Sequence, residues 1–135
     1  MLGMHRRWAA LRAKGSQRGA TVSLGMVIVL PVLLLATFGA ITFAQWSHAR
    51  NLAQGAAQRG VEQGRLSPAS ADRGAAEAQR FLTDHGAGGI HDVQITATLV
   101  DGVVQVRVTG TSSEAIPGLA PGVTASAAGP AEPNL

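Results

Sequence analysis

The sequence predicts an α+β protein. A single N-terminal transmembrane helix continues into a soluble helix, and a second short helix follows, packed on a small antiparallel β-hairpin or three-stranded sheet. Three observations carry this prediction. Residues 22–43 form an apolar run without a single charge, the segment after it repeats small residues at helical spacing, and two alternating apolar stretches flank an Asp-Gly pair.

The apolar run comes first. At 1.5 Å rise per residue, a helix over residues 22–43 spans roughly 33 Å, enough to cross a hydrocarbon core of about 30 Å. A cleaved secretory signal has an apolar region of only about 7–15 residues ending in a small-x-small site. Here the nearest such site, Thr37, Phe38 and Gly39, lies inside the run. A buried helix of a soluble protein would need more chain to cover it than follows. The transmembrane helix is therefore placed at residues 20–46, with a basic leader at 1–19.

Charge sets the orientation. Arg6, Arg7, Arg12, Lys14 and Arg18 precede the run with no acidic residue, whereas Arg50, Arg59 and Arg65 after it are opposed by Glu62. The positive-inside rule then keeps the leader in the cytoplasm, and the C-terminal part lies outside the cytoplasmic membrane. These five leader residues also account for much of the chain's pI near 11.1. The other six basic residues face all eight acidic ones, so the basic balance marks topology and contact with anionic lipid, and no nucleic-acid partner is expected.

Residues 47–66 lack proline and favour helix, although Gly55, Gly60 and Gly64 each cost about 1 kcal/mol relative to Ala. Leu52, Ala53, Ala56, Ala57, Gly60, Val61 and Gly64 recur at three- and four-residue steps, forming a stripe of small residues that admits a second backbone. The membrane helix is expected to continue straight into this one. Ser67 as N-cap and Pro68 as first helical residue mark the start of the second helix. Ala71, Ala75, Ala78 and Leu82 line its apolar face beside Phe81, and Gly86 ends it.

Then comes VQITATLVDGVVQVRVTG. Asp101 and Gly102 suit a two-residue type I′ turn, which requires positive φ at both positions. The turn sets the register: Val100 faces Val103, Leu99 faces Val104, Ala97 faces Val106, and Ile95 faces Val108. One face is then wholly apolar, while Thr96, Thr98, Gln105 and Arg107 occupy the other. A lone hairpin is marginal in water, so Phe81, Leu82 and the alanine face of the second helix are its expected cover. After the loop IPGLAPG, residues 123–127 supply a third strand. The exported α+β domain thus covers residues 47–127, and residues 128–135 form a disordered tail.

The chain has no cysteine, which removes disulfides and thiol chemistry and leaves packing, or joining with neighbours, to hold the exported domain together. His5, His48, His85 and His91 fall on separate segments without metal-ligand spacing, and no nucleotide-binding or nucleophile motif occurs. No catalysis, cofactor, metal or small-molecule substrate is expected. The expected functional surface lies in the membrane helix. Ala36, Gly39, Ala40 and Ala44 fall on one side, and such small-residue seams allow close helix contact in lipid. These four residues face a protein partner if the seam is used, and are filler in an apolar span if it is not; Leu33, Leu34 and Ile41 point to lipid. Pro31, which cannot donate a backbone hydrogen bond, is the expected helix kink.

A basic leader, then Gly19 and Ala20, then an unbroken apolar helix resembles a type IV-like prepilin. The stretch RGATVSLGMVIVLPVLLLATFGAITFAQ, with Leu30 and Pro31, followed by NLAQGAAQRGVEQGR, is similar in particular to TadE-like proteins, minor pseudopilins of tight-adherence (Flp-type) pilus systems. The resemblance implies cleavage between Gly19 and Ala20 by a prepilin peptidase, other pilin-like subunits as partners, and a role as pseudopilin or assembly protein in a pilus or secretion apparatus. The family's acidic residue near the start of the helix has no counterpart, since Ser23, Leu24 and Gly25 are uncharged. In the family that carboxylate pairs with a neighbour's new N-terminal amine, a contact this chain lacks. The alternative function is an uncleaved, membrane-anchored envelope protein that binds a non-pilus partner.

Overall fold

The computed structural model describes residues 22–86 and 88–133 in full and, of residues 2–21, only the backbone. The elements are α1 (Leu2–Gly64), α2 (Ala71–His85), β1 (Ile90–Val100), β2 (Val103–Ser112) and β3 (Gly122–Pro130). The chain divides into two compact units, Met1–Gly39 and Ala40–Leu135.

In the first unit α1 is continuous through Pro31, and every residue from 22 to 39 is exposed. Thr37 satisfies its hydroxyl locally by donating to the Leu33 carbonyl at 2.8 Å, which lets a polar side chain sit in an apolar span.

The second unit is a two-layer α+β domain. Its sheet has the order β1-β2-β3, antiparallel throughout. The hairpin register is the one the turn dictates: Val100 pairs with Val103, Leu99 with Val104, Ala97 with Val106 and Ile95 with Val108. Asp101 and Gly102 have φ of 52° and 72°, the left-handed values a type I′ turn needs. Val104, Val106 and Val108 on the central strand are fully buried, each stabilising the fold by about 1.5–3 kcal/mol relative to an exposed position.

The small-residue stripe of α1 is covered from within the chain. Ala49, Leu52, Ala53, Ala56, Ala57 and Val61 are buried in one core with Ala78 and Leu82 of α2 and the sheet valines. A Cβ added at Gly60 would lie 2.8 Å from the Gly74 carbonyl oxygen, and one at Gly74 would lie 2.9 Å from the Gly60 oxygen. The two helices therefore touch backbone to backbone where both lack a side chain.

Two expectations are corrected. The N-cap of α2 is Ser70, three residues beyond Ser67; its hydroxyl accepts from the Arg73 N–H at 3.2 Å. Residues 65–70 are used instead to turn the chain. The Arg73 guanidinium donates to the carbonyls of Gln63, Leu66 and Pro68 at 2.9, 2.6 and 2.7 Å, satisfying one acceptor that the end of α1 leaves open and two of the turn that follows. The second correction concerns the tail. β3 runs on to Pro130, taking in residues 128–130, because β2 is long enough to offer partners: Val103 pairs with Pro130 and Val104 with Gly129. Beyond it Ala131 donates to the Gly102 carbonyl and Glu132 to the Arg65 carbonyl, at 2.7 and 2.8 Å.

Candidate functional site

The apolar stretch of α1 is long enough to cross a membrane, and none of its most apolar window is buried. A core helix of a soluble protein would be covered; this one presents Leu24, Val27, Leu30, Leu33, Leu34 and Leu35 to the surroundings at more than half their full exposure. Contiguous apolar surface on that scale requires a partner phase, lipid or protein.

Within this helix, Ala36 and Gly39 of the first unit and Ala40 and Ala44 of the second are all exposed, and a Cβ at Gly39 would meet nothing within 4 Å. Leu33, Leu34 and Ile41 are exposed as well, so accessibility alone does not separate the two sides of the helix. The expectation for Leu33 is corrected by the helix itself, since Leu33 stands seven residues before Ala40 and so on the side of the small residues. Gly19 and Ala20, with the leader, lie outside the fully described residues.

The end of the apolar run carries a cluster that the hydropathy pattern does not reveal. The Phe43 and Trp46 rings pack at 5.9 Å between centroids, tilted by 37°. The Arg50 guanidinium lies 5.5 Å from the Trp46 ring centre, a cation–π distance. Trp46 also donates from Nε1 to the Gly122 carbonyl at 3.2 Å, tying α1 to the start of β3. Amphipathic Trp side chains are enriched at membrane–water boundaries. The sequence signal is a lone Trp just past the last apolar residue.

Two shallow depressions mark the domain surface. One of about 290 Å³ is lined by Ala44, Gln45, His48, Gly88, Gly89 and Ser113. The other, about 250 Å³, lies over Thr96, Thr98, Gln105 and Arg107 on the polar face of the hairpin. The first holds a serine and a histidine, and the Ser113 hydroxyl donates its proton to the Gly88 carbonyl at 2.5 Å. Among the described residues no group of three or more His, Asp or Glu side chains is placed to hold a metal ion. His48, His85 and His91 are all exposed; His85 stacks on Phe81, and His91 meets the Ser113 hydroxyl at 3.3 Å.

These features define a class: a protein with one exposed apolar N-terminal helix and a small α+β domain. The model of the TadE-like protein family matches residues 21–62, the segment comprising the apolar run and most of the small-residue stripe. This is the family the sequence resembles. No curated protein and no solved structure matches the chain.

Proposed function

We propose that this chain is a non-enzymatic, single-pass component of a Tad/Flp pilus or secretion apparatus, acting as pseudopilin or assembly protein through its membrane helix. Its N-terminus lies in the cytoplasm and its α+β domain outside. The observation that carries the reading is the family match over a helix whose apolar surface is exposed along residues 22–39. The stripe of residues 49–64 is already covered by α2 and the sheet. Contact with other pilin-like subunits therefore falls to the membrane segment, and Ala36, Gly39, Ala40 and Ala44 are its closest-approach side.

A prepilin peptidase acting between Gly19 and Ala20 gives a mature chain starting at Ala20. A second reading, an uncleaved anchored protein of the envelope, is favoured by one observation: Ser23 stands where the family has its acid. Intact mass of the membrane-extracted protein separates them. A start at Ala20, abolished by Gly19→Val, supports the first reading; a native start near Met1 supports the second. For the topology, a reporter active only outside the cytoplasm is fused after Leu135. Activity supports the orientation, and a silent reporter on a stable fusion overturns it.

A further inference from the structure

The connection between β2 and β3, residues 113–121, reads SEAIPGLAP, with one charged residue in it. It is tightly folded. The Leu119 N–H donates to the Ile116 carbonyl at 2.9 Å, Gly118 turns the chain at φ 81°, and the Ser112 N–H closes the base on the Pro121 carbonyl at 3.0 Å. The one acid is engaged by the loop itself, since Glu114 Oε2 accepts from the Gly118 N–H at 3.4 Å. What the tip offers its surroundings is apolar: Leu119 is 47% exposed, and Pro117 and Gly118 beside it are exposed too.

The position of this loop gives the exposure a meaning. Gly122, the first residue after it, accepts the hydrogen bond from Trp46. Trp46 follows the last apolar residue, Phe43, by three positions, about 4.5 Å along a helix axis. The interfacial layer on each side of the hydrocarbon core is about 5–7 Å thick. With Phe43 closing the span, Trp46 and the Gly122 carbonyl stand in the headgroup layer, and the loop departs from that level. Arg50, held over the Trp46 ring, brings positive charge to the same level, where anionic phosphate groups lie.

We propose that the loop of residues 113–121 rests on the outer membrane–water interface with Leu119 immersed in lipid, a second membrane contact beside the helix. It rests on the reading that α1 spans the membrane. Lipid is the occupant because the apolar tip is rooted at the level where the exposed apolar surface of Phe43 ends. A helix alone leaves the domain free to swivel about its axis. A helix plus a lipid-seated loop fixes which face of the sheet looks along the membrane, and so which face a neighbour meets.

The chain has no cysteine, so single substitutions take a single label. Leu119→Cys, Val100→Cys and Leu33→Cys are made in the full chain, labelled with an environment-sensitive fluorophore, and reconstituted in vesicles of phosphatidylethanolamine and phosphatidylglycerol. Val100 lies at the opposite end of β1, ten residues and roughly 30 Å from Ile90. The expected result is a blue-shifted label at 119 that nitroxide lipids quench and aqueous iodide does not, with the reverse at 100. A label at 119 as open to iodide as that at 100 overturns the proposal. So does one shielded from both quenchers, which means a protein contact. The label at 33 is the reference: lipid quenching there without quenching at 119 sinks the loop contact alone. Iodide quenching at 33 removes the membrane span, and the loop proposal with it.

Discussion

Replacing Gly60 by alanine tests the packing of the domain at its tightest point. On an open helix face the change stabilises by about 1 kcal/mol, because alanine is the better helix former. Here the new methyl group arrives 2.8 Å from the Gly74 carbonyl oxygen and 3.1 and 3.2 Å from the two methyls of Val106. Val106 is fully buried and a backbone carbonyl has no rotamer to escape into, so α1 and α2 must move apart. Overpacking of this kind costs about 1–3 kcal/mol; with a rigid backbone atom as the obstacle the upper part of that range applies. The net loss is then about 1–2 kcal/mol, and at roughly 4–8 °C per kcal/mol for a domain of this size the melting temperature falls by roughly 5–15 °C. The assay is thermal unfolding, by circular dichroism, of the fragment covering residues 40–135. Gly55→Ala supplies the comparison, since its methyl meets only the far end of the partly exposed Phe81 ring, at 2.9 Å, and the ring can yield. Adding Gly74→Ala to Gly60→Ala should cost less than Gly74→Ala alone, because the gap is opened once for both. A Gly60→Ala domain that melts above the wild type refutes the reasoning, since it would show an open helix face at that position.

Three other outcomes follow from the same structure. Arg73→Ala removes three charge-assisted hydrogen bonds to the carbonyls of Gln63, Leu66 and Pro68; a loss of about 1–3 kcal/mol in urea unfolding is expected, only partly recovered in Arg73→Lys, whose ammonium lacks the planar fork. Gly102→Val puts a β-branched residue at φ 72°, and the same fragment should lose at least about 1–2 kcal/mol, with unchanged melting as the contrary result. In native membranes, a photocrosslinker at position 40 should give a stronger product than one at 41, and Ala40→Leu should weaken assembly while leaving insertion intact; equal, weak products at both positions would leave the helix an anchor only.

The parts legible in the sequence are those coded by neighbours in the chain. Asp101 and Gly102 specify their own turn, and a two-residue turn leaves one register, so every pairing from Val100–Val103 to Ile95–Val108 could be written down in advance. The stripe from Leu52 to Gly64 was readable as a close-approach surface, but spacing does not say what approaches. The answer lies in Gly74, a glycine in an otherwise ordinary helix whose significance exists only opposite Gly60. Ser67 with Pro68 is a good local cap signal, yet α2 starts later, because Arg73, which holds the turn over α1, acts from across a bend. The end of β3 has no local signal either: residues 128–130 have little strand propensity of their own and are ordered by pairing with Val103 and Val104 and by Gly129 fitting under Val61. The Trp46–Gly122 hydrogen bond joins residues 76 apart and has no local signature.

A chain that serves a pilus through its membrane helix is needed for pili to form. The most direct measurement is a count of surface pili in cells lacking the gene, complemented with the wild type or with Ala40→Leu at matched protein levels. Pili should be lost with the gene, return with the wild type, and return poorly with Ala40→Leu, although the variant is inserted and its domain folded. Normal numbers of pili on cells without the gene would contradict that role.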